Sequence, residues 1–139
     1  MPLGRIRIVI STDGDIVVAR QSGRELAVQI GCSATDATLI ATAISEVARN
    51  IVTHAGRGEV EMQAVTSDAS RGGVPAVEVI ARDEGPGIAD IDLAMQDGYS
   101  TGRGLGLGLP GARRLMDEFE ITSEVGVGTT IVMRKRRTR

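Results

Sequence analysis

Four groups of residues carry chemistry by type and spacing. Glu46 and Asn50 stand four positions apart. Asp83-Glu84-Gly85-Pro86-Gly87 follows an apolar run, and Gly102 to Gly108 has a glycine at every second position. Gly128-Thr129 opens the last apolar stretch. A carboxylate such as Asp83 accepts from an exocyclic amine, and glycines let a flat ring lie against the backbone. The same five residues also describe a plain turn capped by Asp83. Alternating glycines before a helix leave N–H groups aimed at one place, an arrangement suited to phosphate; the bland alternative is a flexible loop. Arg103 within that loop is in a position to meet a γ-phosphate, and the loop could serve as a lid that orders over nucleotide. Asn50 offers an amide oxygen to Mg²⁺, a hard cation that prefers oxygen. Glu46, one turn away, is suited to take a proton from an attacking hydroxyl, although most such pairs are ordinary surface residues. Thr129 is either a β-former in a hairpin or a hydrogen-bond partner for Asp83. Together the groups specify an ATP site.

That site is not a P-loop. The chain has no G-x-x-x-x-G-K-[ST], and its only lysine is Lys135. Gly106, Gly108 and Gly111 fit G-x-G-x-x-G, but no strand precedes them and no acid stands about 20 residues on, so a dinucleotide fold is rejected. His54 is the only histidine and Cys32 the only cysteine. They form no metal cluster, and no internal disulfide exists.

The elements that must hold these groups follow from periodicity. Arg5 to Ile10 alternates as a strand, and Ser11 to Gly14 reads as a turn. Asp15 to Ile30 predicts a helix with Ile16, Ala19, Gly23, Leu26 and Ile30 on one side. Ser33 and Asp36 resemble a capping box. Thr35 to Thr53 predicts the clearest helix, with Ile40, Ile44, Val47 and Ile51 as a core stripe. Glu46 and Asn50 lie about 40° apart on the flank of that stripe, at the border of buried and open surface. Glu59 to Thr66 and Val74 to Arg82 read as strands, and Asp90 to Met95 as a short helical turn. Pro110 suits the first turn of a third helix, with Leu109, Ala112, Met116 and Phe119 on its apolar side. Phe119 to Val125 and Thr129 to Arg134 make a closing hairpin. The expectation is one α/β domain over residues 1–139, an α+β two-layer sandwich with helices on one face of a largely antiparallel sheet.

Composition narrows the partners. Hydrophobic residues make up 42% of the 139, and Tyr99 and Phe119 are the only aromatics, so the core must be aliphatic. Net charge is −2, but Arg134, Lys135, Arg136, Arg137 and Arg139 put +5 into the end of the chain, leaving −7 on the rest. An acidic body argues against nucleic acid as a partner. The basic tail, residues 134–139, is expected to be a solvated strand end. No run approaches the ~20 apolar residues of a membrane span, and no signal peptide is visible, so a cytoplasmic protein with no membrane partner is expected.

These residues resemble a known family. Ile44-Ser45-Glu46-Val47-Ala48-Arg49-Asn50-Ile51, Asp83-x-Gly85-x-Gly87, Asp97-Gly98-Tyr99-Ser100-Thr101, Gly106-Leu107-Gly108-Leu109-Pro110-Gly111, Arg114 to Phe119 and Gly128-Thr129 look like the motif boxes of the GHKL (Bergerat) ATPase and kinase superfamily. They are most similar to its anti-sigma-factor serine/threonine kinases of the stressosome type. The resemblance runs from about Arg5 to Lys135; the strongly basic end departs from it. It implies a Bergerat fold, ATP and Mg²⁺ as cofactors, and transfer of the γ-phosphate to Ser or Thr of a partner. It implies Glu46 as the base, Asn50 as the Mg²⁺ ligand, Asp83 as the adenine reader supported by Thr129, and Gly87 as the point where the base approaches. The implied ATP contacts are Asn50, Asp83, Gly85, Gly87, Ile88, Ser100, Thr101, Gly102, Arg103, Gly104, Leu105, Gly106, Leu107, Gly108 and Thr129. The implied partners are STAS-domain antagonist or scaffold proteins, with a PP2C-type phosphatase or a sigma factor downstream. An ATP-gated anti-sigma factor that acts by sequestration is the alternative.

Overall fold

Alternation of apolar and charged residues builds the sheet. The computed structural model describes residues 4–67, 73–95 and 108–138. Its strands are β1 (Ile6–Ile10), β2 (Gly58–Ser67), β3 (Val74–Asp83), β4 (Glu118–Glu124) and β5 (Gly128–Arg136). They lie in the order β1-β2-β3-β5-β4, and every pairing is antiparallel. Side chains of a strand point alternately to the two faces. Val60 and Met62, Val77, Val79 and Ala81, and Ile131 and Met133 therefore share one face, and all are buried. Helices α1 (Asp13–Gln29) and α2 (Ala34–Asn50) cover that face, and α4 (Gly108–Leu115) packs on α2. The short α3 spans Ile91–Ala94. The fold class is the expected two-layer mixed α/β architecture.

Helix α1 starts earlier than its apolar pattern predicts. Thr12 caps it, with its hydroxyl accepting from Asp15 N while the Asp15 carboxylate accepts from Thr12 N. This reciprocal box satisfies two donors that a helix start leaves orphaned. The residues that read as a turn are thus the helix start. At α2 only half of the expected box forms: Ser33 Oγ accepts from Asp36 N at 3.0 Å. The Asp36 side chain is committed elsewhere, to the Thr138 hydroxyl.

That contact revises the tail. Strand β5 continues to Arg136, beyond the expected Arg134. Arg137 N donates to Pro75 O at 2.8 Å, and its guanidinium donates to Ile30 O at 3.2 Å. The tail is exposed but tied to the turn between α1 and α2, where Cys32 is buried. Burial first, and then Asp36, push the Cys32 thiol pKa up, which keeps it protonated and unreactive.

The other face of the sheet is a lattice of charges. Glu61 takes Arg5 and Arg82, Glu59 takes Arg7 at 2.5 Å, and Glu78 takes Gln63 and Arg134, each at 2.8 Å. These groups sit across strands from one another, which is how a solvated sheet face is stabilised.

Candidate functional site

The register of the sheet explains where Asp83 lies. Ile10 pairs Gly58, Gly58 pairs Asp83, Asp83 pairs Thr129, and Thr129 pairs Ser123. These five residues form a single row across all five strands, on the face that carries the helices. Along β3 the buried series Val77, Val79, Ala81 ends on Asp83, so an apolar face closes with a carboxylate. Asp83 Oδ1 accepts the Gly85 N–H at 2.9 Å. That bond is an Asx-type turn, and it holds the carboxylate while leaving its other oxygen for a ligand.

The neighbours of Asp83 must be small. A Cβ on Gly58 would strike Arg82 O and come within 2.9 Å of Ile51 Cγ2 and 3.1 Å of Asp83 Cβ. A Cβ on Gly85 would come within 2.6 Å of Ala55 Cβ. Gly87, at φ +78, lies against the backbone of Glu124. The glycines of this segment thus have packing work in the chain itself, in addition to any ring they might admit. Sequence inspection gives no hint that Gly58 belongs to this group, because its partner is 25 residues away and set only by register.

Thr129 is opposite Asp83 as expected, but its hydroxyl meets Ser123 Oγ at 2.8 Å. Ser123 also donates to Gly128 O at 3.1 Å and accepts the Ile88 N–H at 2.7 Å. Ser123, which the sequence reading passed over, is therefore the knot that ties the Asp83–Ile88 segment to the β4–β5 hairpin. Its only sequence signal is a small polar residue in an alternating strand. Asp83, Gly58, Ser123 and Thr129 border an open cleft of roughly 750 Å³ at this end of the sheet, but Arg7, Glu59 and Arg82 of the charged face line it too, and Glu46 and Asn50 do not.

Helix α2 delivers Glu46 and Asn50 to the same end. Its stripe of Ile40, Ile44 and Val47 is fully buried, and the stripe fixes the rotation of the flank carrying both residues. The helix does not run on to Thr53 in α geometry. A π-helical turn, Ile51–Ala55, follows Asn50 and is closed by Gly56 N donating to Ile51 O at 2.8 Å. This turn sets Ile51 against Gly58 and Ala55 against Gly85, so the C-terminal end of α2 abuts the Asp83 segment on two sides. Such turns are rare and cluster at functional sites. Asn50 is half-buried and makes no side-chain cap bond. Glu46 Oε1 accepts the Gly108 N–H at 3.1 Å, which ties α2 to the first residue of α4. Its Oε2 lies 3.9 Å from Arg49 Nη1.

The structure thus sets Glu46 against Gly108, and the turn after Asn50 against the Asp83–Gly85 segment, while Gly87, Ile88 and Thr129 tie that segment to the β4–β5 hairpin. Ser100, Thr101, Gly102, Arg103, Gly104, Leu105, Gly106 and Leu107 lie outside the described residues. Among the described residues, no group of three or more His, Cys, Asp or Glu could hold a metal ion. A single amide oxygen such as that of Asn50 suits a Mg²⁺ that keeps most of its ligands as water and phosphate. No helix among them is long and apolar enough to cross a membrane.

Known proteins resemble the chain over most of its length. The chain is 49% identical over 122 residues to the serine/threonine-protein kinase RsbT of Bacillus subtilis strain 168, covering 88% of this chain and 89% of that one. It is 32% identical over 114 residues to the anti-sigma F factor of Halalkalibacterium halodurans, covering 80% and 77%. Among solved structures, the RsbU and RsbW domains of a Mycobacterium tuberculosis protein superpose with TM-score 0.67 at 23% identity. That match covers 99% of this chain and 34% of the other, and at such identity it speaks for the fold alone. The mycobacterial sensor histidine kinase MprB superposes with TM-score 0.54 at 14% identity, covering 96% and 97%. The model of the histidine kinase-like ATPase domain matches residues 10–135, nearly the whole chain, and the chain belongs to that family.

Proposed function

We propose that this chain is a protein serine/threonine kinase of a partner-switching pathway, using MgATP to phosphorylate a Ser or Thr of a STAS-domain partner. The observation that carries this reading is that the end of α2 bearing Glu46 and Asn50 abuts the Asp83 segment, through Ile51 on Gly58 and Ala55 on Gly85, in a chain 49% identical to a serine/threonine-protein kinase. In this reading the free oxygen of Asp83 accepts from the adenine amine, in a segment held by Gly85 and Ser123. Asn50 ligates Mg²⁺, which supplies charge neutralisation on the phosphates when bound. Ile88, Ser100, Thr101 and the Gly102–Gly108 stretch with Arg103 contact the nucleotide. The bond between the γ-phosphorus and the ADP oxygen breaks, a bond to the acceptor oxygen forms, and the acceptor proton passes to Glu46. A positioned base contributes about 10²–10⁴-fold. A PP2C-type phosphatase is the downstream partner that the kinase engages once released, and the site of action is the cytoplasm.

The test is incubation with γ-labelled ATP, Mg²⁺ and a STAS-domain partner. Label is expected on a partner serine or threonine, and Glu46→Ala should remove it while nucleotide still binds. Absence of label with every partner that binds would overturn the kinase reading. Similarity to anti-sigma F factors favours a second reading, ATP-gated sequestration of a sigma factor. In that case partner control survives Glu46→Ala intact.

A further inference from the structure

Glu46 is approached on both carboxylate oxygens. Oε1 accepts the Gly108 N–H at 3.1 Å, and Oε2 faces the Arg49 guanidinium at 3.9 Å, one turn on along α2. The Glu46 side chain is only 14% exposed, so its directions are few. Gly108 begins α4 in the left-handed region, at φ +52, where a side chain is strained and glycine is not. A helix start leaves N–H donors without partners, and the first turn of α4 holds no acid of its own. The carboxylate that satisfies Gly108 comes from α2, 62 residues away in sequence.

The two helices are also locked together by packing. Leu109 and Ala112 of α4 are buried against α2. The N–H of Gly108 is therefore a fixed point relative to Glu46 rather than the end of a loose segment. Arg49 is half-exposed and spends one nitrogen at long range on Glu46, so its role there is orientation rather than a strong ion pair.

We infer that Gly108 and Arg49 are positioning residues that aim Glu46 at the acceptor hydroxyl. The inference rests on the reading of Glu46 as the base. The Gly108 N–H pins Oε1, Arg49 biases Oε2, and Oε2 keeps a lone pair directed to the mouth of the site to take the proton. Gly108 thereby acquires a task distinct from contacting phosphate: it couples the start of α4 to the base. Misplacing a reacting group by about 1 Å costs on the order of 10²-fold, so orientation at this level is visible in rate.

The test uses the full chain with MgATP and a STAS-domain partner. Arg49→Ala is expected to lower kcat by about tenfold, with acceptor KM and the Kd of a fluorescent ADP analogue within about twofold of the parent; Gly108→Ala, which strains the backbone at a nucleotide contact, is expected to lower kcat by about tenfold and to weaken nucleotide as well. Arg49→Lys should recover most of the rate. A change in nucleotide Kd with kcat preserved would instead mark Gly108 as a phosphate contact only and overturn the positioning role. A second arm needs no activity: amide exchange at Gly108. Glu46→Ala should speed it by about tenfold or more, whereas Glu46→Gln, whose amide oxygen still accepts, should leave it slow. Unchanged exchange in Glu46→Ala would overturn the contact itself. A parent protein that transfers no phosphate, with the exchange result as expected, would remove the base and its positioning while leaving the contact standing.

Discussion

Asp83 shows how much a single polar residue depends on its neighbours. It ends the buried series Val77, Val79 and Ala81 along β3, and three glycines, Gly58, Gly85 and Gly128, crowd it closely. Its Oδ1 is spent on Gly85 N, which leaves one oxygen for recognition. Replacement by Asn keeps the acceptor for Gly85 but loses the charge and one acceptor site. Asp83→Asn should therefore fold, and should lose the rise in melting temperature that ATP gives the parent. A ligand at about 100 times its Kd adds roughly 2.7 kcal/mol, so the loss is large enough to read by thermal melting. An equal rise in both proteins would mean that Asp83 has no contact with the nucleotide.

At the scale of elements, α2 is the part that everything else uses. Its buried stripe sets the direction of Glu46 and Asn50, its π turn fits against Gly58 and Gly85, and its flank caps α4. Ile44 lies fully buried at the centre of the stripe, close enough to Gly23 of α1 that a Cβ there would strike its terminal methyl. Ile44→Ala should cost about 2–5 kcal/mol, read as a lower urea midpoint. Because the cavity opens beside Ser45 and Glu46, the same variant should also weaken transfer at temperatures where it remains folded. Full activity together with lowered stability would separate the stripe from the site.

At the scale of the whole molecule, the charge lattice on the open sheet face predicts the response to acid. Glu78 is partly desolvated, which alone would raise its pKa, but hydrogen bonds from Gln63 and Arg134 outweigh burial and bring it below the ordinary value. Arg82, through its hydrogen bond, lowers Glu61, and the backbone N–H groups of Ser11 and Thr12 lower Asp15. A carboxylate lowered on folding stabilises the native state above its unfolded pKa and gives that stability up as pH falls through its folded value. The chain should hold its stability near neutrality and lose it below about pH 4. Urea midpoints at pH 7 and pH 3.5 test this, with a smaller drop expected for Glu78→Gln than for the parent. Equal midpoints at both pH values would show that the lattice is energetically silent.

The sequence by itself determined the local patterns and the residue types. Alternation along β1 to β5, the stripe on α2 and the polar residues at its flank were legible because they follow from periods of two and 3.6 residues. Glu46, Asn50, Asp83 and Thr129 stand out as candidates because few other residue types do that chemistry at those spacings; the roles given to them are proposals. Tertiary structure alone decided the rest. The capping box at Thr12 and Asp15 reads as a turn until a helix is present to be capped. The π turn after Asn50 leaves the apolar spacing almost unchanged, so periodicity cannot reveal it. Gly58, Ser123 and the Glu46–Gly108 bond depend on contacts spanning 25 to 62 residues or on a hairpin register. A row that joins Ile10 to Ser123 through three other strands is written nowhere in the chain order. It exists because antiparallel register, fixed by burial of one sheet face, brings those residues side by side.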